Sequence, residues 1–368
     1  MRIAWFRPTP LDPANPLDDS APLIAALRST HTIDVINESD AHDFVWRAAM
    51  QPWDLCVYEL DSTAACCFEW GYLLAYPGIV LLRSTDARDT SAATPGAGNR
   101  FADYMSEFQV DRLGSGALRL PLLASRVVVV QSDGLARSLR ERYAEARVRC
   151  APVGIAAVAS APSESLRREQ SLRVGLLGTS NGTLAIAAVE RVRATGIAID
   201  LHMDGTPRDL LTTTDVIVVA AWPPQTVMVA AAVAGMAAGK PVIALEMEAT
   251  AEWPAFDPQT WKPRGQSMSQ DPIAVTLDPL DDEHSLVRAL TRLATDAPLR
   301  DRIGRAAHAW WLANATPAHA ALAWRRILED ARVVEPPSRS ADWPRHLDDD
   351  GTALARTLLR EYGVETDL

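Results

Sequence analysis

The chain has 368 residues, and a single hydrophobic core stops growing at about 250–300 residues, so two domains are expected. Apolar residues make up 48 % and charged residues 23 %, the balance of a globular protein rather than a fibrous or disordered one. A formal net charge of -11 argues against nucleic acid as the main partner and against loose adhesion to an anionic membrane, because both need a basic surface.

The N-terminus, MRIAWFRPTPLDP, starts like a strand and runs into prolines without an apolar leader core, so no signal peptide and a cytoplasmic location are expected. Continuous β-branched runs at residues 3–6, 32–36, 55–58, 79–82, 127–131 and 148–151 predict strands of a parallel sheet covered on both faces. Residues 22–29, 41–50, 64–75 and 134–143 read as the helices between them, the rhythm of βαβ units. Residues 84–99, rich in Ser, Thr, Ala, Gly and Asp, form one long loop of the kind that is either functional or disordered. The segment AAVASAPSESLRREQS at 156–171 is small and polar and marks a domain boundary.

A second α/β series follows, with strands predicted at 172–177, 197–202, 216–220, 241–245 and 273–277. Pro241 opens its strand, where a missing N–H is tolerated. The apolar run 227–238 is too short to cross a bilayer and fits a buried helix. Residues 281–332 predict three consecutive helices, with Pro298 and Pro317 near two of their starts. The tail after Val334 is Pro-rich, then acidic at 348–350, then weakly helical to Tyr362. Cys56, Cys66, Cys67 and Cys150 have neither metal nor disulfide spacing and read as small buried hydrophobes in a reducing compartment. Trp310, Trp311 and Trp324 read as packing anchors, and His284, His308 and His319 as surface or packing residues.

Several segments carry a family likeness in their order and spacing. They are MRIAWFRPTP at the start, PGIVLLR ending at Arg83, SRVVVVQSDGLARSLRERY ending at Tyr143 and APVGI ending at Ile155. AGMAAGKPVIA ending at Ala244 and AHAWWLANATPAHAALAWRRIL ending at Leu328 complete the set. Together they resemble the family 4 type of retaining glycosyltransferases, from Met1 to about residue 331. The resemblance implies the GT-B architecture, an α/β fold of two Rossmann-like doubly wound parallel-sheet domains facing a cleft. An acceptor-side domain would span 1–156 and a nucleotide-sugar donor domain 172–315, with a helix crossing back over 316–334 and a tail over 335–368.

The implied activity is that of a hexosyl- or glycosyltransferase in carbohydrate biosynthesis, retaining and independent of metal. Its substrates would be a nucleotide sugar and an unidentified acceptor: a glycan, a lipid-linked sugar or a small molecule. The diphosphate leaving group of such a donor develops charge that needs cations, glycine-rich backbone N–H groups or a helix N-terminus. The turn LLGTSNG offers Gly178, Thr179, Ser180, Asn181 and Gly182 as a backbone cradle. Gln225, Thr226, Val227, Met228 and Val229 present a second helix start to the donor. Arg7 and Arg83 follow first-domain strands, where open α/β sheets bind ligands, and are candidates for an acceptor-side or phosphate group.

The family's E-x7-E carboxylates fall on Thr226 and Ala234, and a one-residue shift places Gln225 in the first position. Glu246 or Glu248 is the available substitute, and Glu252 matches a recurrent family glutamate. The usual Arg and Lys near the phosphates are absent from LLGTSNGT, the glycine-rich first loop is DPANPLDD, and the His-Asp after the fourth strand is Arg83-Ser84. No catalytic residue is assigned and no cofactor is expected. The competing reading is a catalytically silent GT-B-like protein that binds a ligand or stabilises an active glycosyltransferase partner; a homo-oligomer is also open.

Overall fold

The computed structural model describes residues 1–61, 64–83, 119–158, 171–178, 182–220, 228–264, 271–338 and 353–363. Six parallel strands form the first sheet: β1 (Arg2–Phe6), β2 (Thr32–Ile36), β3 (Leu55–Leu60), β4 (Ile79–Leu82), β5 (Val127–Val130) and β6 (Val148–Cys150). Their order is β2-β1-β3-β4-β5-β6. Every residue of β3, β4 and β5 is buried, as continuous apolar runs require when helices cover both faces. The covering helices are α1 (Ser20–Leu27), α2 (Glu38–Ala41), α3 (Phe44–Met50), α4 (Cys67–Ala75), α5 (Arg119–Ala124) and α6 (Asp133–Arg142).

The single helix expected over 41–50 is two. The chain turns at His42 and Asp43 and restarts at Phe44, whose ring enters the core 4.9 Å from Phe6 and 4.7 Å from Trp53. A continuous helix has to satisfy its periodicity first; here burial of one large ring decides the break.

The second sheet holds β7 (Leu172–Leu176), β8 (Ile199–His202), β9 (Val216–Val219), β10 (Val242–Leu245), β11 (Ala255–Phe256), β12 (Pro263–Arg264) and β13 (Ala274–Leu277). Its order is β12-β11-β13-β10-β9-β7-β8, parallel except for the β11–β12 pair. Strands β11 and β12 lie where the sequence showed no strand, because two residues cannot display a period.

Five helices lie within or directly follow this half: α7 (Thr183–Ala194), α8 (Pro207–Thr213), α9 (Met228–Ala237), α10 (Asp282–Thr295) and α11 (Ala297–Asn314). The starts of α8 and α11 follow helix-initiation chemistry. Thr206 and Asp209 make a reciprocal capping box around Pro207, and the Asp296 carboxylate accepts from the Leu299 N–H. The apolar run expected to be a buried helix is α9, whose residues are buried apart from Val229. No helix among the described residues is long and apolar enough to cross a membrane.

The next helix, α12 (Pro317–Val333), is capped by Thr316 and packs against α1 of the first domain. Its Trp324 lies 5.0 Å from Trp5, and Ala320, Ile327 and Leu328 complete one face of the first core. The Ile155 N–H donates to the Ala315 carbonyl at 3.0 Å, and the Trp311 indole donates to the Ile155 carbonyl at 3.0 Å. Both chain crossings between the sheets are thereby tied to each other. A final helix, α13 (Ala353–Glu361), ends the described chain. The loop expected at 84–99 lies outside the described residues.

Candidate functional site

Open doubly wound sheets bind ligands at the carboxyl edge where strand order reverses. That point lies between β1 and β3 in the first sheet and between β7 and β9 in the second.

In the first domain the reversal point is filled by charge pairs. Arg83 follows β4; its Nε and one terminal nitrogen donate to Glu59 Oε2 at 3.1 and 3.0 Å, and the other terminal nitrogen donates to Asp19 Oδ1 at 2.7 Å. Arg83 also donates to the Ser20 hydroxyl. The Trp5 indole donates to Glu59 Oε1 at 2.6 Å, and the Gln131 amide donates to Asp19 Oδ2 at 2.6 Å. Arg7, just after β1, donates to Asp18 at 3.2 Å, with both side chains 7 % exposed. The sequence expectation set Arg7 and Arg83 against an anionic ligand. The structure sets them against Asp18, Asp19 and Glu59, because α1 starts at this sheet edge and delivers two aspartates to it.

Burial alone would raise the Glu59 carboxyl, but Arg83 and Arg7 beside it outweigh burial and hold its pKa below the ordinary value. Glu69, at the start of α4, is fully buried, and neither carboxyl oxygen has a hydrogen-bond partner among the described residues. Burial, with Glu59 and Asp61 nearby, pushes its pKa well above the ordinary carboxylate value.

In the second domain the turn after β7 passes through Gly178, whose φ of 74° lies in the left-handed region that favours glycine. Gly182 caps α7. Thr179, Ser180 and Asn181 lie outside the described residues, as do Gln225, Thr226 and Val227. Met228 opens α9 and is buried; Val229 is half-buried and faces the cavity described below. Ala234, the second position matched to the glutamate pair, is fully buried in the all-apolar α9. Glu246 is held in an ion pair with Arg264 of β12, and Arg264 also approaches Asp257 at 3.4 Å. The expectation left Glu246 free for a donor; the unforeseen β11–β12 hairpin gives it an internal cation.

A cavity of about 440 Å³ opens between the two domains. Gln131, Ser132, Asp133 and Cys150 line it from the first domain, and Val229, Glu252 and Trp253 from the second. The two crossings supply Pro152, Val153, Trp310 and Asn314. At its edge the domains meet directly. Arg137 donates to Glu252 at 2.6 Å, and the Ser138 hydroxyl donates to Glu248 at 3.0 Å. A Cβ on Gly134 would stand 2.4 Å from the Glu248 carbonyl oxygen, so only glycine allows this approach. Burial and Asp133 push the Cys150 thiol up to about 12, which leaves it protonated. Burial does the same to Cys56, pushed up to about 11, and raises Cys66 further, in keeping with three unreactive thiols.

Sequence reasoning had named Glu252 through the family likeness, but gave no role to Asp19, Glu59, Glu69 or Asp133. A lone acid in an apolar run, such as Glu59 in LCVYEL, is the one signal that could have found part of this set. Trp310 was read as an anchor with Trp311 and Trp324. The latter two are buried, whereas Trp310 is half-buried and lines the cavity.

No family model matches the chain, and no curated protein matches it. Solved structures do. WaaG, a glycosyltransferase involved in lipopolysaccharide biosynthesis, is similar over 90 % of this chain and 99 % of its own, at 11 % identity and a TM-score of 0.53. Anabaena Alr3699/HepE, solved in complex with UDP-glucose, is similar over 90 % of this chain and 100 % of its own, at 11 % identity and a TM-score of 0.55. The two parallel sheets and these likenesses give the chain the GT-B fold.

Proposed function

We propose that the chain transfers a glycosyl group from a nucleotide sugar to an acceptor, as a retaining enzyme that needs no metal. The observation that carries this reading is the cavity between two GT-B domains, lined from both of them and from both crossings. The donor nucleotide belongs to the second domain, against the Gly178 to Gly182 turn and the starts of α7 and α9. The N-termini of α7 and α9 supply the positive potential that the diphosphate needs there. Because Alr3699/HepE was solved with UDP-glucose, that donor is the first to test. The acceptor class stays as the sequence left it: glycan, lipid-linked sugar or small molecule.

A second reading is favoured by a specific set of observations. Ala234 is buried among apolar side chains, and Glu246, Arg7 and Arg83 are each committed to partners within the protein. A silent chain that binds a ligand, or that supports an active glycosyltransferase partner, accounts for that set. One measurement separates the readings, once donor binding is established: a ligand that binds only the native state raises apparent stability, so a bound UDP-glucose raises the melting temperature whether or not the chain is active. Labelled sugar leaves the donor in the presence of chelator only under the first. Turnover lost in chelator and restored by manganese would overturn metal independence.

A further inference from the structure

We infer that α13 of one chain docks on the outer side of α3 of a second copy, so that two copies exchange their C-terminal helices. Neither helix lines the cavity between the domains, and the inference is independent of what that cavity binds.

Helix α3 is apolar on both sides. Phe44 enters the first core, while Val45, Trp46, Ala49 and Met50 form the opposite side and stand in water. Trp46 is 75 % exposed and Met50 83 %. The helix has one charge, Arg47, which lies outside this arc; it faces Asp43 at 3.7 Å and the Trp53 ring at 5.3 Å. A helix that is apolar all round belongs in an interior, and an exposed apolar patch on a folded chain marks an interaction surface. Acids flank the patch in the chain: Glu38 and Asp40 of α2, Asp43 at the start of α3 and Asp54 beyond its end, all exposed. They repel an anionic lipid surface, as the net charge of -11 does, and call for a partner that is apolar and basic.

Helix α13 has that chemistry. Leu358 and Tyr362 are one turn apart and exposed, and Leu359 lies next to Leu358. Its sequence carries two arginines one turn apart, Arg356 and Arg360, against the single acid Glu361. A helix of nine residues is marginal in water, so an amphipathic one of this length needs an apolar surface against it. Within one chain Trp46 and Leu358 both face solvent, so the chain's own α13 does not cover its own α3. The α13 of another copy is the element of matching charge and apolarity that remains. Residues 335–352 join α12 to α13, and a chain of that length reaches up to about 60 Å, enough to cross to a neighbour. Each copy offers one α3 and one α13, so a twofold axis makes the contact twice and closes the pair.

The test uses the full chain in sedimentation velocity at about 1–100 μM, the range in which a contact of modest size is read. The native chain forms a dimer. Trp46→Glu and Leu358→Glu each put a charge into the apolar contact and weaken the dimer at least about tenfold. Mixing the two variants restores part of the dimer, because the Trp46→Glu chain keeps a sound α13 and the Leu358→Glu chain keeps a sound α3. Both positions are exposed, and melting curves confirm that the variants are folded. Leu280→Glu, at an exposed leucine of the second domain, leaves the dimer unchanged. A chain that is monomeric across the range overturns the inference. So does a Leu358→Glu chain that still dimerises fully, which would pair α3 with α3, or a Trp46→Glu chain that does so, which would leave α3 out. A mixture without recovery, or an equal loss in Leu280→Glu, counts against it in the same way. Co-sedimentation of the native chain with phosphatidylglycerol vesicles, abolished by Trp46→Glu, would assign α3 to a lipid surface and also overturn it.

Discussion

Arg83 illustrates what a single buried charge demands. Its guanidinium is 13 % exposed and bonded to Glu59 and Asp19, which are 4 and 6 % exposed. Removing a partner from such a cluster leaves uncompensated charge, a loss of about 3–5 kcal/mol. Arg83→Met is therefore expected to destabilise the first domain by that amount in denaturant unfolding, and adding Glu59→Gln to recover part of it. A ligand role for Arg83 would instead leave stability unchanged and weaken binding. Glu69 makes the opposite case. The unfolded chain gives up this proton near the ordinary carboxylate value of 4.5, while the folded chain keeps it because of burial and the neighbouring Glu59 and Asp61, opposed by Arg7. A raised folded pKa means the contribution to stability is complete below the unfolded value and is lost as pH rises toward the folded one. Glu69→Gln, which cannot ionise, is expected to gain in melting temperature relative to the native chain as pH rises from 4 to 8. A gap that is constant across that range would contradict the raised pKa of Glu69. The strand-end positions of Arg7 and Arg83 were legible in the sequence. Their partners were not, because Asp18, Asp19 and Glu59 meet them only once α1 and β3 are placed.

At the scale of elements, α12 binds the two halves of the chain into one structure. It begins at Thr316 beside the second domain and spends its apolar face on the first, where Trp324 is 2 % exposed against Trp5. Truncating a buried tryptophan costs about 3–5 kcal/mol, so Trp324→Ala is expected to lower the stability of the first domain by that much. Calorimetry is the check, with the second domain's transition nearly unmoved; two equally shifted transitions would mean that α12 does not belong to the first core. Strands such as Val127–Val130 and the three helices from Asp282 to Val333 were readable because continuous β-branched runs and helix periodicity with Pro at the start are strong local signals. The break at His42 and the β11–β12 hairpin were not. Both are imposed by tertiary partners, the Phe44 ring in one case and the β13 edge in the other.

Across the whole molecule, the question is whether the two lobes catalyse or only hold. They touch through Arg137 with Glu252, Ser138 with Glu248, and the close pass of Gly134. The Arg137–Glu252 pair is largely exposed and so adds little to holding the lobes together. Closure excludes water and aligns substrates, but it does not supply the charge that a leaving diphosphate needs. Loss of one preorganised charge-stabilising group costs about 10²–10³ in rate. Position 234 carries an alanine with no access to the cleft, Glu246 is paired with Arg264, and Arg7 and Arg83 are paired with acids of their own domain. Starting from a common turnover of about 10 s⁻¹, one such loss already brings the chain near 0.1 s⁻¹, and a second brings it lower. We therefore expect single-turnover transfer by the isolated chain at or below about 0.1 s⁻¹, with donor binding retained, and faster transfer when a glycosyltransferase partner is present. The assay uses purified chain, radiolabelled UDP-glucose and acceptor, with and without that partner. Fast transfer by the chain alone would refute this expectation. It would also point to Glu248, because that carboxylate lies at the cavity's edge where it accepts from the Ser138 hydroxyl, and Glu248→Ala would then abolish the rate.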